Sequence, residues 1–312
     1  MKYKDWLRVW YENYIKPAAK TRTAEKYREI ISNRLIPNFG EYKTEEISPL
    51  EMQKYITNLS ACGNLVTGKG LSSNSINGII TVAQASLKAA YEAGFCLKCI
   101  ANKIKRPRIY EKKIECFSLK EQQAIEQCVL DTGKTKGLGI IICLYTGLRL
   151  GELLALSWKD INFQKRIIIV SKTCHDRKGG KRNFGTPKTK SSCREIPIPR
   201  KLLAILSEMK KEGCEFVIHK DGRPMGVRTY QKFFESLQKR LNIKRRGFHS
   251  LRHTFATRAL ECGMDVKTLS EILGHKNSAV TLNRYAHSLT EHKAAMMNKL
   301  GNLLLEKSPF RQ

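Results

Sequence analysis

Apolar positions in the first hundred residues recur at helical spacing. Leu7, Trp10, Tyr11 and Tyr14 fall three or four residues apart. Residues 23–35 form a second helical run, which Pro37 and Gly40 should stop. Ser48-Pro49-Leu50-Glu51 reads as a helix start, with Ser48 as N-cap, Pro49 in the first position and Glu51 in the third. Residues 63–70 form a glycine-bearing loop, and 73–93 a long amphipathic helix stopped at Gly94. The pattern predicts a four-helix unit over 1–100.

The period then changes. Residues 101–114 are basic, with few apolar anchors, and read as a linker. Either this stretch is a solvated strap or it lies along phosphates. Ser118 with Glu121 opens a new helix, 137–148 is an apolar helix, and 149–156 begins another. Residues 166–173 and 194–199 read as strands separated by a long polar hairpin region. A short strand at 215–219 precedes an Asp221-Gly222 turn. From Val227 onward the pattern is helical. One helix starts at Asp265 and ends at Gly274, and a further short one leads to Tyr285. The expected fold is mainly α with a small antiparallel β-sheet, in two domains, 1–100 and 115–289, with a tail over 290–312.

Charge narrows the class of partner. The 312 residues carry 57 Lys and Arg against 28 Asp and Glu, a formal net charge of +29. With 41% hydrophobic residues the chain can build real cores, which excludes a disordered basic tail. Such an excess of positive charge marks a polyanionic partner, nucleic acid first and an anionic membrane second. No apolar run approaches the roughly 18 residues of a membrane span, and the N-terminus has no secretory h-region. The expected location is the cytosol or nucleus. Of ten cysteines only Cys96 and Cys99 form a CxxC, and no second pair completes a zinc site. Packing thiols are therefore expected, and no metal.

Several side chains suit phosphate chemistry. Arg149 stands in TGLRLGELLAL beside apolar residues, with Glu152 one turn away to pair with it. In HSLRHTFATRAL, His249 and Arg252 share a helical face, and Ser250 as N-cap would set both near a helix N-terminus that favours an anion. His253 reads as a packing residue pointing elsewhere. His275 follows the Gly274 cap, and Tyr285 needs electrostatic help to act as a nucleophile. Lys188 and Lys190 sit just before the second strand, facing the same way if that segment is extended.

Taken in order, Arg149, Lys188, His249, Arg252, His275 and Tyr285 resemble the active-site series of the tyrosine recombinases, the phage integrase family. The strings TGLRLGELLAL, HSLRHTFAT and LGHKNSAVTLNRYAH resemble its signature boxes. The resemblance covers about 115–290 and extends to the helical first half, which is similar to the family's core-binding domain. It implies a C-shaped two-domain clamp on double-stranded DNA and a site-specific recombinase. Tyr285 would form a 3′-phosphotyrosine, with neither ATP nor a metal. Arg149 and Arg252 would hold the transition state, and Lys188 (or Lys190) would protonate the leaving oxygen. His249 would assist proton transfer, His275 would bind a non-bridging oxygen, and Glu152 would orient Arg149. It also implies a tetramer coupled through the apolar stripe Met296, Met297, Leu300, Leu303 and Leu304 on a helix over 290–306. An accessory directionality factor fits the same picture. Integration or excision of a mobile element is the favoured role. Chromosome-dimer resolution or inversion, a type IB topoisomerase and a non-catalytic DNA-binding regulator are the alternatives.

Overall fold

Two prolines shape the first helices of the computed structural model, which describes residues 1–109, 115–133, 135–176, 182–185, 193–210, 213–275, 277–279, 281–282 and 297–302. Helix α1 (Tyr3–Trp10) runs through a π-helical turn at Tyr11–Ile15 into α2 (Lys16–Ala18). Helix α3 (Thr21–Ile30) likewise runs through Ile31–Leu35 into α4 (Ile36–Phe39). Each π turn comes just before a proline, Pro17 or Pro37. Proline lacks an N–H and its ring presses on the carbonyl four residues back, and a widened turn accommodates both. Pro37 therefore does not stop the second helix, contrary to the sequence expectation; helix persists to Phe39. Tyr14, inside the first π turn, lies 53% exposed, while Tyr3 and Trp6 join Leu7 and Trp10 in the core.

Helix α5 (Pro49–Cys62) starts at Ser48, whose side chain and Glu51 form the expected capping box. Helix α6 (Ser73–Glu92) is the spine of this unit, burying Ile76, Ile80, Ala83 and Leu87 against Trp6, Leu35 and Ile56. Trp6 Nε1 donates to the Ser86 carbonyl at 2.9 Å, and Tyr3 bonds the Ser86 hydroxyl, so α1 is pinned across α6. The basic stretch after α6 is held to it at first. Ala101 and Ile104 are buried, Gln84 donates to the Ala101 carbonyl at 2.9 Å, and Arg106 reaches Gln84 Oε1 at 2.6 Å. The chain divides into two compact units, Met1–Lys112 and Lys113–Gln312.

The second unit is built around a helix buried on every side. Helix α7 (Leu119–Asp131) begins at the Ser118–Glu121 capping box and leads to α8 (Thr135–Thr146), where Leu138 to Leu144 are all buried. A short helix, α9 (Leu150–Ala155), precedes a three-stranded antiparallel sheet. Its strands are β1 (Ile161–Asn162), β2 (Ile167–Val170) and β5 (Arg194–Pro197), with Ile168 opposite both Ile161 and Ile196.

The strand expected over 166–173 breaks after Val170. Beyond the break, β3 (Thr173–Asp176) pairs with β4 (Arg182–Gly185) as a separate hairpin. Gly151 explains where that hairpin packs: a Cβ there would come within 2.6 Å of Thr173 Oγ1 and 2.9 Å of the Cys174 carbonyl. Helix α10 (Arg200–Met209) follows. Next, β6 (His219–Lys220) and β7 (Arg223–Pro224) close the expected turn, with Asp221 and Gly222 both at positive φ. Then come α11 (Val227–Arg240), α12 (His249–Glu261) and α13 (Val266–Leu273). Asp176 on β3 accepts from the Val227 and Arg228 amides, so a carboxylate faces the N-terminus of α11.

Buried Cys143 and Cys174 fit the packing role expected of the thiols, whereas Cys62, Cys193 and Cys262 are exposed. Among the described residues, no group of three or more His, Cys, Asp or Glu side chains is placed to hold a metal ion, and no helix is long and apolar enough to cross a membrane. Residues 297–302 are helical, with Met297 and Leu300 exposed; Met296, Leu303 and Leu304 lie outside the described residues.

Candidate active site

The TGLRLGELL segment turns the chain sharply between two buried helices. Gly147 caps α8 in the left-handed region (φ 65°), where a Cβ would strike the Phe255 ring at 2.6 Å. Leu148 is buried, and Arg149 becomes the N-cap of α9 with extended backbone. Glu152, three residues on, accepts from the Arg149 amide at 3.0 Å and from Arg149 Nη1 at 2.8 Å. One carboxylate thus caps the helix and holds the arginine that precedes it, as expected of this pair. The Arg149 side chain is 35% exposed, whereas that of Glu152 is 4% exposed.

Helix α12 is aimed by what comes before it. Phe248 is wedged edge-on between Tyr230 and Phe234 of α11, with ring centroids 5.5 and 5.3 Å away. Buried Gln238 braces the preceding loop, accepting from the Arg246 amide at 2.7 Å. The N-cap is Phe248, not Ser250 as the sequence suggested; the helix begins one residue before that serine, and Ser250 is buried in its first turn. His253 also differs from expectation. It lies one turn after His249, and the two rings meet edge to face at 4.7 Å, since residues four apart share a helix face. His249 itself is exposed.

Arg252 is 2% exposed, the second-largest fully buried side chain of the described chain. Its Nη1 donates to the Gly147 carbonyl at 2.8 Å and its Nη2 to the Leu273 carbonyl at 2.7 Å. Nη2 also lies 2.9 Å from His275 Nε2. Arginine has no acceptor, so His275 Nε2 must receive this bond. The ring proton then sits on Nδ1, which donates to Thr281 Oγ1 at 2.7 Å.

The end of α13 gathers the whole arrangement. A helix leaves its last carbonyls without intrahelical partners and carries partial negative charge there, which favours cations. Here three successive carbonyls each receive a different arginine. Ile272 takes Arg194 Nε at 2.5 Å, Leu273 takes Arg252 Nη2, and Gly274 takes Arg149 Nη2 at 3.2 Å. Gly274 holds φ 65°, the left-handed cap that ends the helix and turns His275 back toward Arg252.

Sequence reasoning missed Arg194. It heads β5 with its side chain 6% exposed, and binds Glu152 through two bonds, Nη2 to Oε2 at 2.9 Å and Nη1 to Oε1 at 3.3 Å. In the strand sequence REIP nothing local marks Arg194 out, since Glu195 beside it is also charged and only Ile196 is buried. Burial pushes the Glu152 carboxyl up, but the Arg194 hydrogen bond and the charges of Arg194 and Arg149 outweigh it and hold the group below its ordinary range. Arg149, Arg252 and His275 thus converge, and Glu152 stands behind Arg149. Lys188, Lys190 and Tyr285 lie outside the described residues; 278–279 and 281–282, on the way to Tyr285, are helical.

A helical unit followed by an α+β unit with small antiparallel sheets is the two-domain fold of the tyrosine recombinases. The model of the phage integrase family matches residues 120–292, and that of the family's N-terminal SAM-like domain matches 2–60. A tyrosine recombinase XerC-like protein of Caldanaerobacter subterraneus subsp. tengcongensis is 30% identical over 335 residues, spanning 96% of this chain and 83% of that one. The ICEBs1 integrase of Bacillus subtilis is 28% identical over 249 residues, 75% of this chain and 67% of the relative. In fold, the chain is similar to the Tn1549 transposon integrase solved in complex with a circular intermediate DNA. The TM-score is 0.81 at 23% identity, covering 96% of this chain and 99% of that one. The chain belongs to the phage integrase family of tyrosine recombinases, enzymes of site-specific recombination.

Proposed function

We propose that this chain is the integrase of a mobile element, cutting and rejoining double-stranded DNA through a covalent tyrosine intermediate. The helical unit over 1–100 is the core-binding domain, 101–114 connects it, and 115–289 carries the chemistry. The Tyr285 hydroxyl attacks the scissile phosphorus, the bond to the 5′-oxygen breaks, and a 3′-phosphotyrosine remains. Lys188, or Lys190 in its place, gives its proton to the leaving oxygen, and His249 takes the tyrosine proton. Arg149 and Arg252 offset the charge that builds on the non-bridging oxygens. A 5′-hydroxyl from a partner duplex reverses the step. The bond energy is kept in the phosphotyrosine, so neither ATP nor a metal is called for.

The observation that carries this reading is the meeting of Arg149, Arg252 and His275 at the end of α13. Two guanidiniums and an imidazole from three distant segments form a built anion site on a rigid frame. For His275 to donate to a phosphate oxygen, its proton must move to Nε2. Thr281 permits the exchange, because a hydroxyl can donate to Nδ1 as readily as accept from it. The protein acts on DNA in the cytoplasm, assembled as a tetramer through the tail over 290–312, and an accessory directionality factor would choose between integration and excision.

A nicked suicide duplex library made from host and element DNA tests this. The expected result is a protease-sensitive covalent adduct that vanishes in Tyr285→Phe, with trapped sequences drawn from element ends and their target. Trapped sequences from a chromosomal resolution site or an invertible segment would replace the mobile-element role. Absence of any adduct from a folded protein that still shifts the library would make the chain a non-catalytic DNA-binding regulator.

A further inference from the structure

Arg194 has no part in the chemistry above, yet it touches two of the elements that position that chemistry, α9 and the end of α13. It belongs to β5, binds Glu152 on α9 through both terminal nitrogens, and donates through Nε to Ile272 at the end of α13. It also lies against the cap of α13: a Cβ on Gly274 would come within 3.1 Å of its Cδ and Nη1. Gly274 accepts from Arg149 and is followed by His275. One guanidinium therefore fixes the helix start that carries Arg149 relative to the helix end that carries His275.

The charges point the same way. Glu152 is 5% exposed, and a carboxylate at that depth requires a compensating cation. With Arg149 as the main compensating cation, its guanidinium would be drawn down onto the carboxylate and its positive charge spent there. With Arg194 opposite, Glu152 is neutralised from the buried side. The cluster of Arg149, Arg194 and Glu152 then keeps one net positive charge, and Arg149 is the member with exposed surface. We infer that Arg194 is a positioning residue for strand cleavage: it takes the Glu152 charge and tethers the end of α13, leaving Arg149 set for the scissile phosphate. The inference rests on the proposed function.

The test uses the full chain and a nicked duplex built from a sequence trapped by the wild-type protein. It compares Arg194→Gln, Arg194→Lys and the double variant Arg194→Gln/Glu152→Gln. Single-turnover cleavage at saturating DNA should fall about 100-fold in Arg194→Gln, while binding by mobility shift stays within about threefold. Arg194→Lys should fall between, because one ammonium cannot span both acceptors. In the double variant the buried charge is gone, and cleavage should recover at least about tenfold over Arg194→Gln. A purely structural arginine predicts no such recovery. Wild-type cleavage in Arg194→Gln, or a double variant no better than the single, overturns the inference. Failure of the wild type to form any adduct would instead overturn the proposed function.

Discussion

Arg149 Nη2 donates to the carbonyl of Gly274, 125 residues further along the chain, at 3.2 Å. This bond ties the N-cap of α9 to the C-cap of α13. It brings the most exposed of the three gathered arginines to the segment that carries His275. A phosphate bound there would compete with a backbone carbonyl for the same guanidinium. The carbonyl holds the arginine in place, and a full negative charge attracts it more strongly.

The two arginines should therefore respond differently to substitution. Arg252 is buried and holds the Gly147 turn and the end of α13 by their carbonyls, so Arg252→Gln should lower stability by roughly 2–4 kcal/mol as well as abolish cleavage. Arg149→Gln should abolish cleavage with a much smaller drop in Tm, because its side chain is partly solvated. Thermal denaturation beside the covalent-adduct assay separates them. Equal losses of Tm would contradict the division.

Gly274→Ala should be harmful out of proportion to its size. Alanine in the left-handed region costs about 1–2 kcal/mol, and its methyl would meet Arg194 at 3.1 Å. The cap would shift, carrying the Gly274 carbonyl and His275 with it. Cleavage should drop while DNA affinity by mobility shift holds. Unchanged cleavage would show that the cap tolerates movement.

Acid should weaken the second unit through Glu152. Its folded pKa lies below the ordinary 4.5, so its stabilisation is complete above that value. It is lost as pH falls through the lower folded value. Glu152→Gln should flatten that part of the acid limb in a plot of Tm against pH. An acid limb identical to the wild type would show that other carboxylates set it.

Salt and the tail address the rest of the chain. With a net charge of +29, affinity for duplex DNA should fall steeply and log-linearly with salt, by about 0.9 log unit per log unit of salt for each phosphate neutralised. Deleting residues 290–312 should remove strand exchange between two duplexes more than it removes binding. Full recombination by the truncated chain would refute the docking role given to the tail.

Much of this molecule could be read locally. Capping boxes at Ser48–Glu51 and Ser118–Glu121, the Asp265 cap, the Asp221-Gly222 turn and the Gly274 stop depend on a few adjacent residues, and the structure repeats them. Glu152 one turn from Arg149 was equally legible, because helical spacing fixes that pair, whereas the series Arg149, Arg252 and His275 was legible only through the resemblance of its three boxes to those of the family. Local reasoning failed where a distant or subtler constraint acted. The π turns before Pro17 and Pro37 kept helices running through residues that usually end them. Phe248, held by aromatic rings of α11, set the start of α12 one residue ahead of Ser250.

Only the tertiary structure could show that α13 ends on three arginines drawn from a strand, a turn and another helix. No spacing rule connects Arg194 to Ile272, 78 residues away, or to Glu152. Local sequence set most of the helices, several of their caps, and a set of groups able to handle a phosphate. Packing decided which of those groups meet, because a buried carboxylate and the unpaired carbonyls of a helix end must find cations wherever the fold brings them.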